Sequence, residues 1–133
     1  MIRGVGLDVV ELDRIASVLS GTGKDKFIAR ILTPSEQARL SEMSAKREIE
    51  FVAGRFAAKE AVVKALGCGI GTIVGFHDVE VTRNEQGKPI CELSEAALTR
   101  LGLQKERCVV HIAITHERSL AAATAIVEEL AHE

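Results

Sequence analysis

The stretch Arg47–Gly67, REIEFVAGRFAAKEAVVKALG, decides the fold. It contains no proline, one internal glycine at Gly54 and a closing glycine at Gly67, so it predicts a single long helix over 47–66. Ala53, Ala57 and Ala61 line one side, with Gly54 and Ala65 nearby, and leave room for another backbone or a ligand to approach. Val52, Phe56 and Val63 form a separate stripe for core contact. Arg55, Lys59, Glu60 and Lys64 supply the charge, and at about 100° per residue Glu60 and Lys64 lie within about 40° of each other. Spacing alone is satisfied by an ordinary i,i+4 surface pair; a site needs further partners.

Upstream, residues 2–9 alternate Val5, Leu7 and Val9 against Gly4 and Gly6, which predicts a short strand ending near Asp8. Leu12, Ile15, Ala16 and Leu19 then repeat with a helical period up to Gly21-Thr22-Gly23. A second short helix carries Phe27, Ile28, Ile31 and Leu32. Thr33-Pro34-Ser35-Glu36 has the form of an N-cap, a proline at the first helical position and a capping glutamate, and starts a helix expected to run to about Met43. Downstream, Gly67-Cys68-Gly69-Ile70-Gly71 is a tight loop, and Phe76–Arg83 and Lys88–Leu93 form a hairpin around Asn84-Glu85-Gln86-Gly87. Ser94 caps a helix that stops at Gly102, and Cys108–Thr115 is an apolar run consistent with a strand buried on both faces. Over 119–130 the alanines favour helix while Thr124, Ile126 and Val127 favour strand; propensity leans to helix. The sum is an α+β chain: one compact domain over 1–133, a long central helix packed on a small, mainly antiparallel sheet.

Composition narrows the function classes. With 133 residues, 47% hydrophobic, the chain can bury roughly 65–70% of its unfolded surface, and with four Phe its core must be aliphatic. The three cysteines, Cys68, Cys91 and Cys108, are odd in number and show no C-x-x-C spacing, which supports neither a disulfide framework nor a cysteine zinc site and fits a reducing, cytoplasmic setting. Acids at Asp8, Glu11 and Asp13 break the apolar stretch a signal peptide needs, and no run long enough to span a membrane occurs. A net charge of −2 argues against a nucleic-acid surface, so an anionic partner must meet a local basic patch.

Four groups of residues carry possible chemistry. Asp8 with Glu60 would offer two carboxylates to a hard cation such as Mg²⁺; the plainer reading of Asp8 is a cap before Leu12. His116, in Ile114-Thr115-His116, closes a strand, where it can donate to phosphate, move a proton, or merely cap a turn. His111 reads as structural, and His77 and His132 show no partner. Lys46, Arg47 and Arg55 can share a phosphate, and Arg14, Lys24, Lys26 and Arg30 form a basic patch; for both sets a solvated face is the default. The Gly67-x-Gly69-x-Gly71 loop follows a helix, so it is not a strand-to-helix dinucleotide or nucleoside-triphosphate cradle.

Gly6-Leu7-Asp8-Val9-Val10-Glu11, Phe51 through Ala61 with Lys64 and Gly67, and Ile114-Thr115-His116 together resemble the holo-[acyl-carrier-protein] synthase family, the small bacterial 4′-phosphopantetheinyl transferases. Arg30-Ile31-Leu32-Thr33, Gly69-Ile70-Gly71 and Gly87-Lys88-Pro89 fall in the expected order, so the resemblance spans the chain. It implies transfer of the 4′-phosphopantetheine arm from coenzyme A to a serine of apo acyl carrier protein, releasing adenosine 3′,5′-bisphosphate, in support of fatty acid biosynthesis. It also implies Asp8 and Glu60 on Mg²⁺, and catalytic roles for Lys64 and His116. Lys46, Arg47, Arg55, Lys64, Gly67, Pro89, Thr115 and His116 would bind coenzyme A. Arg14, Lys24, Lys26, Phe27 and Arg30 would dock the carrier, in a run interrupted here by Asp13 and Asp25. The family fold further implies a homotrimer with active sites at subunit interfaces and a strand at 120–129. The rival is a catalytically silent trimeric module that only binds coenzyme A or a carrier protein.

Overall fold

The structure, a computed structural model, describes residues 1–131; His132 lies outside them. The central helix, α4 (Ala45–Leu66), starts two residues earlier than expected, because Ser44 caps it by accepting from the Arg47 N–H at 3.2 Å. It ends where Gly67 turns left-handed at φ 79°. Residues all round its middle are buried, so elements pack on it from more than one side.

One side of α4 is covered by a three-stranded antiparallel sheet in the order β1 (Ile2–Glu11), β5 (Leu120–Glu129), β4 (Cys108–His116). The strand β1 runs three residues past the expected end, placing Asp8 opposite Ala123 within the ladder and not at a cap. Its alternation is inverted relative to ordinary packing. Gly4 and Gly6 face α4 so closely that an added Cβ would lie 1.9 Å from the Ala65 and Ala61 carbonyl oxygens. Val5, Leu7 and Val9 therefore face outward and are more than half exposed.

The same close approach explains β5, where propensity leaned to helix. Ala121, Ala123, Ala125 and Val127 are the inward positions, all at most 2% exposed, so the alanines are small because a helix sits on them. In β4 only Ile112 is buried, which corrects the expectation of burial on both faces: the outer face of this edge strand, through His111, Ala113 and Thr115, is open in the single chain.

Elsewhere on α4 pack α1 (Leu12–Leu19), α2 (Lys24–Ile31) and β2 (Val79–Arg83); the short α3 (Pro34–Gln37) lies between α2 and β2, β3 (Pro89–Leu93) forms a hairpin with β2 and lies against β4, and α5 (Glu95–Leu101) follows the hairpin. Residues 76–78 form a 3-10 turn instead of the expected start of β2. The Thr33–Glu36 capping box is formed, but α3 stops at Gln37 and only a 3-10 turn follows at Leu40–Glu42. Glu36 is needed elsewhere. Its Oε1 accepts from Lys59 Nζ at 2.6 Å and its Oε2 from the Val81 N–H at 2.8 Å, while Lys59 also donates to the carbonyls of Ile31 and Phe76. Both side chains are buried, and the pair ties α2, α3, the 3-10 turn and β2 to α4.

Candidate active site

The close packing of β1 on α4 brings Asp8 to Lys64. Lys64 Nζ donates to Asp8 Oδ1 at 2.9 Å and to the Leu7 carbonyl at 3.1 Å. Glu60 sits one turn earlier, half-buried; burial pushes its carboxyl pKa up, Asp8 pushes it further, and Lys64 and Arg30 oppose the shift. Two carboxylates that resist sharing charge, beside a half-exposed ammonium, make a place where an added cation is favoured. Among the described residues no set of three or more acidic, His or Cys side chains could cage a metal alone. That donor set suits Mg²⁺, which binds through one or two carboxylates and takes its remaining oxygens from water and substrate phosphates. Gly67 follows at the end of α4, and the Cys68 thiol beside it has a pKa raised by burial.

A second cluster lies around Arg55. Its guanidinium is buried, stacks 4.2 Å above the Phe51 ring, and leaves Nε and Nη2 without a hydrogen-bond partner. Burial first, and then like-charge repulsion from Arg83, Arg39 and Arg47, together lower its pKa to about 10 against the opposing pull of Glu36. Arg47 of the expected set therefore lies near enough to act on Arg55, and Arg83, which does the same, is the ladder partner of Pro89 across the hairpin. Arg39 and Arg83 were missed because each is a lone arginine in a short segment with no motif around it. Buried N–H donors without acceptors, surrounded by cations, fit a multiply charged anion such as a phosphate.

Lys46 and His116 fall in a third place, a groove also lined by Leu12, Asp13, Ala16, Ile49, Glu50, Glu117 and Arg118. His116 faces Glu50, with Nδ1 3.4 Å from Oε2. Glu50 was missed too; its position one turn after Lys46 was the only hint. From Glu50 to Glu60 is ten residues of helix, about 15 Å, so one chain separates this groove from the Asp8 cluster. Thr115 faces outward on β4.

His77 and His111 are placed differently from expectation. His77 Nε2 meets the Ala29 carbonyl at 2.7 Å, and His111 is an exposed residue whose Nε2 meets Glu128 at 3.0 Å. Of the basic patch, Arg14, Lys26 and Arg30 are exposed, whereas Lys24 is paired with Glu48 at 2.8 Å. Phe27 stacks on Phe56 with centroids 6.3 Å apart, and Arg30 lies over Phe76.

Comparison with known proteins shows the family and the fold. Residues 4–125 match the model of the 4′-phosphopantetheinyl transferase superfamily, and the chain belongs to that superfamily. Within it, a holo-[acyl-carrier-protein] synthase of Anoxybacillus flavithermus is 48% identical over 130 residues, covering 98% of both chains. The crystal structure of the Bacillus anthracis holo-(acyl-carrier-protein) synthase in complex with CoA (3′,5′-ADP) superposes with a TM-score of 0.82 at 42% identity, covering 97% of this chain and 98% of that one. The Neisseria meningitidis holo-[acyl-carrier-protein] synthase gives 0.85 at 32% identity, covering 97% and 100%.

Proposed function

We propose that this chain moves the 4′-phosphopantetheine arm of coenzyme A onto a serine hydroxyl of apo acyl carrier protein and releases adenosine 3′,5′-bisphosphate. The observation that carries this reading is the meeting of Asp8, Glu60 and Lys64 where β1 crosses α4. Asp8 and Glu60 would hold Mg²⁺. When bound there, the ion offsets the negative charge of the pyrophosphate and of the phosphoryl group in transfer. Lys64, half-exposed on a flexible stem, reaches the same phosphate oxygens once it leaves Asp8. The serine proton has nearby acceptors in the carboxylate pair. Arg47, Arg55 and the Pro89 end of the hairpin receive a terminal phosphate of coenzyme A, and the unpartnered Arg55 donors supply the directed N–H groups.

The 15 Å between the His116 groove and Glu60 gives a reason for assembly. In a homotrimer, copies packed through Val5, Leu7, Val9 and Ile126 would bury an apolar face that one chain leaves exposed and bring one copy's basic residues to the next copy's carboxylates. Arg14, Lys26, Phe27 and Arg30 form the docking face for the acidic carrier, close to Glu60 through Arg30. The whole chain acts as one domain in this reading. Three free thiols support a reducing compartment such as the cytoplasm, and no helix among the described residues is long and apolar enough to cross a membrane.

The test is intact mass of an apo acyl carrier protein incubated with coenzyme A and this protein, with and without Mg²⁺. A gain of one phosphopantetheine arm that needs both protein and metal is expected, and Glu60→Ala loses it while keeping coenzyme A and carrier affinity. No gain across several carriers, with coenzyme A still bound, would leave the silent binding module as the answer.

A further inference from the structure

We propose that Glu50 is a positioning residue for His116, holding the ring so that Nδ1 carries its hydrogen and Nε2 alone faces the groove. The inference deepens the reading above and rests on it for the role of His116. Carboxylate oxygens only accept hydrogen bonds, so the ring nitrogen that faces one is the protonated one. His116 Nδ1 lies 3.4 Å from Glu50 Oε2, an ion-pair contact longer than a formed hydrogen bond, and a proton on Nδ1 is what would draw the two together. Among the described residues the other two histidines are arranged the opposite way: His77 and His111 meet their acceptors, the Ala29 carbonyl and Glu128, through Nε2.

The supports differ in rigidity as well. The Glu50 side chain is 17% exposed and stands on the central helix, whereas Glu128 is 33% exposed on a strand. The groove around the pair contains Lys46 and Arg118 as cations and Asp13 and Glu117 as further acids. With Nδ1–H turned to Glu50, the neutral ring offers an Nε2 lone pair to a proton, and the protonated ring offers Nε2–H to a phosphate oxygen. Either duty is performed through the same atom in the same place. Glu50 touches neither substrate nor reacting atoms in this scheme and acts only through the imidazole.

The experiment reads ring protonation directly. Histidine-¹⁵N-labelled protein gives long-range ¹H–¹⁵N patterns that distinguish Nδ1–H from Nε2–H in the neutral rings, and His116→Gln identifies the His116 signal by its loss. His116 is expected as Nδ1–H, with His77 and His111 as Nε2–H. Glu50→Ala moves His116 away from Nδ1–H, and Glu50→Gln keeps it, because the amide oxygen still accepts. In the transfer assay kcat/KM for coenzyme A falls about tenfold in Glu50→Ala, the lower end of what removing the carboxylate behind a working histidine costs, and largely recovers in Glu50→Gln. Alanine suits a helix interior, so the variant folds, and a melting curve verifies this. His116 found as Nε2–H in the parent, or unchanged in Glu50→Ala, overturns the proposal. Absence of arm transfer by the parent protein would overturn the function instead and leave the ring assignment standing.

Discussion

Replacing Gly6 by alanine tests the packing on which the candidate site depends. Gly6 has no left-handed backbone requirement, and alanine at such a position ordinarily stabilises a protein by about 0.4–1 kcal/mol through the unfolded chain. Here the new Cβ would sit 1.9 Å from the Ala61 carbonyl oxygen and 2.9 Å from the Ala65 nitrogen. Ordinary contact begins near 3.4 Å, so strand and helix must separate by about 1.5 Å, and both obstacles are helix backbone that cannot rotate away. Overpacking of this kind costs about 1–3 kcal/mol, a fall in melting temperature of roughly 5–10 °C. Asp8 projects from the same face of β1 two residues later, so it moves with the strand relative to Glu60. A misplacement of about 1 Å at reacting groups is worth about a hundredfold in turnover. Thermal melting and the mass-based transfer assay measure the two effects, with Gly71→Ala, whose Cβ meets nothing within 4 Å, as the control. A Gly6→Ala protein that melts at or above the parent and transfers at the parental rate would refute the reasoning.

Glu60→Gln should make the metal-free protein more stable at neutral pH. Burial and then Asp8 raise the folded pKa of Glu60 above its unfolded value, so its favourable contribution exists in acid and is lost as pH rises through the folded pKa. Urea titrations should show the advantage of the variant shrinking towards about pH 4, and an advantage that grows in acid contradicts the assignment. Asp78 has the opposite sign. Burial alone would raise its pKa, but hydrogen bonds from Ser94, the Gly75 N–H and Arg100 outweigh it and hold the carboxyl below its usual value. Its stability is present at neutral pH and lost as pH falls through that lowered pKa, so Asp78→Asn costs about 1–2 kcal/mol at pH 7 and little in strong acid. Lys59→Met leaves the buried Glu36 charge without its cation and costs about 3–5 kcal/mol by urea unfolding, with part of that recovered in Lys59→Met/Glu36→Gln.

The elements that matched expectation are those whose signals are local. The period of Leu12, Ile15 and Leu19 gave α1 with its observed ends, the Thr33–Glu36 box formed, and Ser94 and Gly102 bracket α5 as capping residues should. Errors arose where a distant partner decides. The alanines of β5 read as helix because the helix lying on them is invisible in a local window. The alternation of Val5, Leu7 and Val9 with Gly4 and Gly6 does not tell which side is buried, and it is the glycine side that meets α4. Lys59 stood in a charged series with Arg55, Glu60 and Lys64, yet it is 0% exposed because Glu36 and two carbonyls reach it from other segments. At the site, Asp8 and Lys64 are 56 residues apart in sequence, and only the motif resemblance linked them beforehand. Arg39 and Arg83 had no such link.

The pairing of the first strand with the last orders events in time. Glu11 lies opposite Leu120 and Ile2 opposite Glu128, so β1 has no ladder partner until more than a hundred further residues exist. At about 5–20 residues per second, a growing chain carries Val5, Leu7 and Val9 unpaired for several seconds or more before β5 emerges. During that interval β1 is an apolar edge able to pair with the β1 of a neighbouring chain. Asp8 rides on this strand, so its register beside Lys64 is completed only once β5 has emerged. A chain cut short before residue 120 would hold every proposed catalytic side chain and still lack the strand that sets Asp8 in place.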